Sequence, residues 1–151
     1  MIVNLNTIFT KTRSRRYTGP SKSLIAAKLV NPESQLAGFT GRIKHEVSAI
    51  LGVRVTEVRL KKHMVWAAYK GKDGRTCSQF FSYRKLPIWQ ELVIAKILEC
   101  PDLGTWGRFS RALRWEYNHF LYVPEMKDYI EETMETRLSQ LKSQQSNEEQ
   151  T

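Results

Sequence analysis

The side chains in this chain best suited to chemistry are arginines set among aromatic rings, in the stretch 106-WGRFSRALRWEYNHFLY-122. Guanidinium groups bind phosphate oxygens in pairs, stack on flat rings and stay charged at any working pH. An exposed Trp or Tyr offers a face to an unpaired base, worth about 1–3 kcal/mol per stacked base. On a helix turning about 100° per residue, Trp106, Phe109, Leu113, Tyr117, Phe120 and Leu121 fall on one side. Arg108, Arg111, Trp115, Asn118 and Tyr122 fall on the other, flanked by Arg114. The first set supplies a complete apolar face, so Arg108, Arg111, Arg114, Trp115 and Tyr122 form a candidate outward stripe for a polyanion.

Two other regions carry the same mixture. Arg54, Arg59, Lys61, Lys62, Lys70, Lys72 and Arg75 crowd a segment of strand-like period, interleaved with Trp66, Phe80, Phe81 and Tyr83. A sheet can present such side chains to a groove or to single-stranded bases. The N-terminal arm holds Lys11, Arg13, Arg15, Arg16 and Lys22, and basic arms can follow a phosphate backbone or enter a minor groove. In each region the plain alternative is a solvated face, because Arg and Lys stems also cover apolar surface without binding anything.

The charge distribution favours an anionic partner. The chain of 151 residues has 24 Lys and Arg against 15 Asp and Glu, for a net charge of +9. Residues 1–30 sum to +6, residues 31–123 to +7 and residues 124–151 to −4. A basic front and middle with an acidic tail fit nucleic acid before other partners. An anionic membrane surface fits less well, since no helix pairs a lysine-rich face with a broad apolar one. No apolar stretch approaches the roughly 18–20 residues needed to span a bilayer.

Catalytic constellations are not visible. "TGPSKSL" resembles the end of a phosphate-binding loop, but it lacks the Gly before Lys22, and Pro20 removes a needed N–H. His45, His63 and His119 lie far apart, and neither Cys77 nor Cys100 has a partner at metal-ligand spacing. Glu131 and Glu135 share a helix face, but that face opposes the apolar one. Glu46, Glu57, Asp73 and Glu91 sit on different elements, without the grouping that binds catalytic Mg²⁺. The expectation is a non-enzyme with no cofactor and no metal. Two cysteines cannot build a disulfide framework, and "MIVNLNTIFT" lacks the charged n-region of a secretory signal. Reduced thiols and a cytoplasmic location follow as expectations.

The elements that must hold these residues can be read from period and punctuation. Residues 2–9 alternate like a short strand, and residues 1–22 then read as a basic arm broken by Gly19-Pro20. "SLIAAKLV" predicts a short helix from Ser23, closed by Asn31-Pro32. A helix follows within 34–51, starting as late as Thr40 because of Gly38 and Gly41, with Gly52 at its C′ position. "VRVTEVRLKK", "HMVWAAYK" and "RTCSQFFSYR" predict three strands, the last two joined by "GKDG". The middle strand is apolar on both faces, which suits a central position. Three helices complete the chain: one opened by Pro87 and ended at Cys100-Pro101, one over 105–122, and one opened by Pro124. Met126, Tyr129, Ile130, Met134, Leu138 and Leu141 line one side of the last helix, and residues 143–151 have too little apolar content to pack.

The order helix, three antiparallel strands, helix over residues 40–99 is similar to double-stranded-RNA-binding domains. Three strands followed by a helix, with Trp66 in the second strand, also resembles the AP2/integrase-arm type of DNA reader. Both likenesses are topological and carry no residue roles. The RNA-binding domains open their second helix with a lysine cluster, whereas this chain has "RKLPIWQ" with only Arg84 and Lys85.

The sequence therefore predicts one α+β domain over residues 23–142: a small three-stranded antiparallel sheet flanked by helices, with a helical C-terminal half. A basic arm precedes it and a disordered tail, 143–151, follows. The expected function is non-catalytic binding of DNA or RNA through the basic and aromatic surface. The alternative is an adaptor or regulatory subunit that docks on a protein through the same aromatic-arginine stripe, since Trp, Tyr and Arg dominate interface hot spots. Strand number, base preference and oligomeric state are left open by the sequence.

Overall fold

The computed structural model describes residues 22–150 of the chain. Its elements run α1 (Pro32–Gln35), α2 (Thr40–Leu51), β1 (Val55–Leu60), β2 (Met64–Lys70), β3 (Thr76–Ser82), α3 (Pro87–Glu99), α4 (Leu103–His119) and α5 (Pro124–Gln150). The fold is α+β. The three strands form one antiparallel sheet in the order β1-β2-β3, with helices before and after it. The expected strand over 2–9 and the basic arm lie outside the described residues, apart from Lys22.

Local chemistry explains most boundaries. Gly52 takes a left-handed φ of 71° at the end of α2, and its N–H bonds the Ser48 carbonyl. In the β2–β3 hairpin, Gly74 is left-handed at φ 79° and the Arg75 N–H donates to Asp73 Oδ1. This is a turn closed by a left-handed glycine, which matches the twist of the flanking strands. Pro87 opens α3, where no side chain of its own caps the helix. Instead, Glu46 on α2 accepts the Ile88 N–H at 3.1 Å. The same carboxylate accepts Arg42 Nε at 2.8 Å, and Arg42 also holds Glu91 on α3. At the other end, Arg137 of α5 donates twice to the Cys100 carbonyl, at 3.1 and 2.7 Å. A cation there also complements the negative end of the helix dipole.

Two expectations change. "SLIAAKLV" forms turns rather than a helix: Ala27 N–H bonds the Ser23 carbonyl, and then Lys28 adopts a φ of 61°, which no right-handed helix continues. The apolar side chains still serve the core, with Leu24, Ile25, Leu29 and Val30 all buried. At the C-terminus α5 continues to Gln150, where an unstructured tail was expected. No residue after Leu141 is buried as far as Glu149, so that extension is a largely solvated helix.

One core joins the layers. Ile43 and Val47 from α2, Val65, Ala67 and Phe81 from the sheet, and Trp89, Val93 and Ile97 from α3 are all buried. Phe109 and Leu113 from α4 and Met126, Ile130, Met134 and Leu141 from α5 complete it. The helices thus cover one face of the sheet, and no described helix covers the other.

Candidate nucleic-acid interface

The sheet's two faces are separated by a single extra residue. In a regular strand Val55, Glu57 and Arg59 would point the same way. Here Val55 pairs with Tyr69 and Glu57 with Ala68, so Thr56 is a bulge. Its hydroxyl donates to the Ala68 carbonyl at 3.1 Å. The bulge reverses the alternation: Val55 turns inward at 1% exposure, while Glu57 and Arg59 turn outward.

The outward face then carries a cross-strand row. Arg59 pairs with Trp66, and Trp66 pairs with Phe80. The Arg59 guanidinium lies 4.8 Å from the Trp66 ring centroid, held from behind by Glu57 Oε2 at 2.8 Å from Nε. Phe80 is 55% exposed and Met64 38%. Among the described residues Phe80 makes no ring contact, with Trp66 or any other ring. Large apolar side chains grouped on one exposed face are a feature of binding surfaces.

Basic residues ring this row. Lys70 is on the same face of β2, opposite Thr76. Lys72 and Arg75 occupy the hairpin turn, Lys61 and Lys62 the β1–β2 corner, and Arg54 the approach to β1; all are exposed. Residues 53–86 hold nine basic and two acidic side chains. Both acids are spent locally, Glu57 on Arg59 and Asp73 on Arg75 at 3.6 Å. Lys61, Lys62, Lys70 and Lys72 form no ion pair among the described residues. Lys62 also lines a cleft of about 410 Å³ with Lys28 and Lys96.

The α4 stripe is placed differently from the expectation. Arg108, Arg111 and Arg114 are exposed, as the helical wheel requires. Arg108 spends Nη2 on the Ala27 carbonyl at 2.9 Å. Trp115 is half-buried, with one ring face stacked on His119 at 3.8 Å and an interplanar angle of 10°. Tyr122 is corrected outright. It is only 8% exposed, whereas Leu121, expected in the apolar face, is 90% exposed. The reason is that α4 ends at His119 and Phe120 is extended at φ −129°, ψ 146°. From there the chain alternates like a strand, so a wheel carried through 122 inverts these two residues. Phe81 and Tyr83, which the sequence interleaves with the basic residues of the sheet, are also buried on the core side. Arg13, Arg15 and Arg16 lie outside the described residues.

Tyr122 turns inward to a polar centre that sequence reasoning passed over. Glu116 is fully buried on the core face of α4, and Arg84 is 2% exposed. Arg84 Nε donates to Glu116 Oε1 at 2.8 Å and Nη2 to Oε2 at 2.6 Å. Leu24 N–H also donates to Oε2, at 3.1 Å, and the Tyr122 hydroxyl donates to Oε1. Trp89 Nε1 in turn donates to the Tyr122 oxygen at 3.1 Å. The guanidinium lies between the rings of Phe120, at 3.8 Å, and Trp89, at 4.8 Å. Burial pushes the Tyr122 phenol above its usual range, and the Glu116 charge adds to this, so the hydroxyl keeps the proton it donates. The carboxylate's acceptor positions are all occupied, which leaves no free group aimed at a ligand. The centre joins loop 23–30, the turn after β3, α3, α4 and the α4–α5 link. Its role is architectural.

No family model, curated protein or solved structure matches this chain. The described residues include no group of three or more His, Cys, Asp and Glu placed to hold a metal ion. No described helix is long and apolar enough to cross a membrane. The open face itself therefore carries the functional reading.

Proposed function

We propose that this protein binds nucleic acid without catalysing a reaction, and that the open face of the sheet is its main contact surface. The observation that carries this reading is the Arg59–Trp66–Phe80 row, solvent-facing and bordered by lysines that have no acidic partner among the described residues. Unpaired lysines attract phosphates and release condensed counterions when they bind. Rings between them give bases a surface that a purely basic patch lacks. The α4 arginines add to the positive field. They are a weaker site, because Trp115 already stacks on His119 and Arg108 is engaged by Ala27.

The test is fluorescence anisotropy of labelled DNA and RNA, single- and double-stranded, over a salt series. At low salt the protein binds at least one of the four, and log K falls linearly with log[salt]. Changing Lys70 and Lys72 together to Ala lowers the slope by about two, near one for each phosphate that is no longer neutralised. Absence of binding to all four at low salt would overturn the proposal.

A protein-docking reading has its own support in the α4–α5 link and the first turns of α5. Leu121 is 90% exposed, and Val123 and Tyr129 are each 53% exposed. Binding to a protein there would respond only mildly to salt, and Leu121→Asp would abolish it while leaving nucleic-acid binding unchanged.

A further inference from the structure

The composition of the open face separates two kinds of nucleic-acid ligand, and we infer that this site takes a single strand through its unpaired bases. The inference rests on the nucleic-acid reading and narrows it. A duplex shows its base edges in grooves, where they are read by side chains that donate and accept hydrogen bonds, chiefly Arg, Lys, Asn and Gln. The central row of this face offers none that is free. Arg59 is held by Glu57 and lies on the Trp66 ring, and the remaining positions are Trp66 and Phe80. Met64 adds more apolar surface beside them.

A duplex approaching these rings would meet them with its phosphates, since its own bases are stacked inside. The rings would then be covered by charge and gain nothing. A single strand reverses this balance. Its bases can turn onto the sheet, each covering a ring, while the phosphates stay at the rim. Phe80 is ready for such a contact, being more than half exposed and without a ring partner among the described residues. Trp66 is half-covered by Arg59, whose planar guanidinium is itself a stacking surface.

Dimensions fit a short run of nucleotides. Strands about 4.8 Å apart put Arg59 and Phe80 about 10 Å apart across the sheet. Along β2, Trp66 and Lys70 are about 13 Å apart at about 3.3 Å per residue. The row therefore has room for about two bases, flanked along the strand direction by Lys70 and Lys72 at the β2–β3 hairpin and by Lys61 and Lys62 at the β1–β2 corner. Glu57 leaves a carboxylate at the β1 side, so the phosphates are better placed towards the β2–β3 hairpin than across β1. The rings of the face thus favour a single strand, and the distribution of charge favours the side on which its backbone runs.

The experiment uses the full chain and fluorescein-labelled oligonucleotides of about twelve nucleotides, as single strands of DNA and RNA and as the matching duplexes. Wild type, Phe80→Ala and Trp66→Phe are titrated at low salt. The expected result is single-strand binding at least about tenfold tighter than duplex binding. Phe80→Ala then weakens single-strand binding by about tenfold or more, in line with the loss of one base stack, and leaves duplex binding unchanged. Trp66→Phe keeps a ring and most of the affinity. Circular dichroism checks that the variants stay folded, as expected for a change at exposed Phe80. Duplex binding as tight as single-strand binding overturns the inference and leaves the nucleic-acid reading intact. So does a Phe80→Ala protein that binds single strands as wild type does. No binding to any oligonucleotide overturns both.

Discussion

The same three side chains occur twice in this molecule with opposite consequences. On the open sheet face Arg59 lies 4.8 Å from the Trp66 ring and pairs with Glu57. Inside the helical half Arg84 lies 4.8 Å from the Trp89 ring and pairs with Glu116. The first pair stands in water, with side chains 59% and 49% exposed; the second is sealed, at 2% and 0%. Solvent screens the first pair and contributes competing hydrogen bonds, so it adds little to stability, and the flat surfaces beside it remain exposed for stacking. The second has lost its water and depends on its partners, so each of them is structurally committed. Chemistry alone does not separate a binding group from a structural one; burial and unspent bonding capacity do.

The sharpest contrast comes from removing the acid in each assembly. Glu116→Ala leaves the Arg84 charge buried without its partner and strips Tyr122 and Leu24 of their acceptor. Its stability, measured by urea unfolding, falls by about 3–5 kcal/mol. Joint replacement by apolar residues, Arg84→Met with Glu116→Leu, recovers part of that loss, because no charge is then left alone while the Tyr122 hydroxyl and Leu24 N–H still lack their acceptor. Glu57→Ala changes stability by less than about 0.5 kcal/mol. Equal effects at the two sites would erase the distinction drawn here.

A smaller effect tests the sheet against α4. Arg108, Arg111 and Arg114 changed together to Ala reduce nucleic-acid affinity less than threefold on this account, with the salt slope unchanged within about one. Anisotropy across a salt series measures both quantities. A loss larger than that of the Lys70 and Lys72 variant would move the interface to α4.

The smallest expected effect is a pH-dependent one at the start of α4. Asp102 accepts the Thr105 N–H at 2.7 Å, and that bond, with the Thr105 hydroxyl, holds its carboxyl below the ordinary range. A lowered value means that the stabilisation is present at neutral pH and lost as pH falls through the folded value, below about 3.8. Asp102→Asn keeps a good cap but removes the titration. It melts slightly below wild type at pH 7, and the difference is smaller at about pH 3. Thermal unfolding followed by circular dichroism at both pH values checks this.

The architecture was legible where a single residue dictates the backbone. Gly52, the Asp73-Gly74 turn, Pro87 and Pro124 each mark a boundary that the structure keeps. The apolar middle strand placed β2 at the centre of the sheet for a direct reason, since only a central strand is enclosed by neighbours on both edges. The site was less legible because its determinants are non-local. The bulge at Thr56 has no glycine or proline to announce it, yet it decides which way Arg59 points. The end of α4 at His119 is equally unmarked, because "FLYV" continues an apolar pattern that suits a helix or an extended segment. A glutamate on an apolar helix face was a signal present in the sequence: Glu116 lies between Leu113 and Tyr117, one turn from Ala112. A charge in that position requires a buried partner, and Arg84, in the segment just after β3, supplies it.

The most direct test of the central claim uses the four tryptophans as reporters. Trp66 lies on the open sheet face and Trp115 on α4, whereas the Trp89 and Trp106 indoles are bonded internally, to the Tyr122 hydroxyl and the Met134 carbonyl. Indole N–H resonances, assigned by single Trp→Phe substitutions, can be followed while a short single-stranded oligonucleotide is titrated in at low salt. The account predicts a saturable shift of the Trp66 signal together with amide shifts at Arg59, Lys70 and Phe80, with Trp89, Trp106 and Trp115 nearly still. A shift confined to Trp115 and its neighbours, or no shift at all, would contradict it.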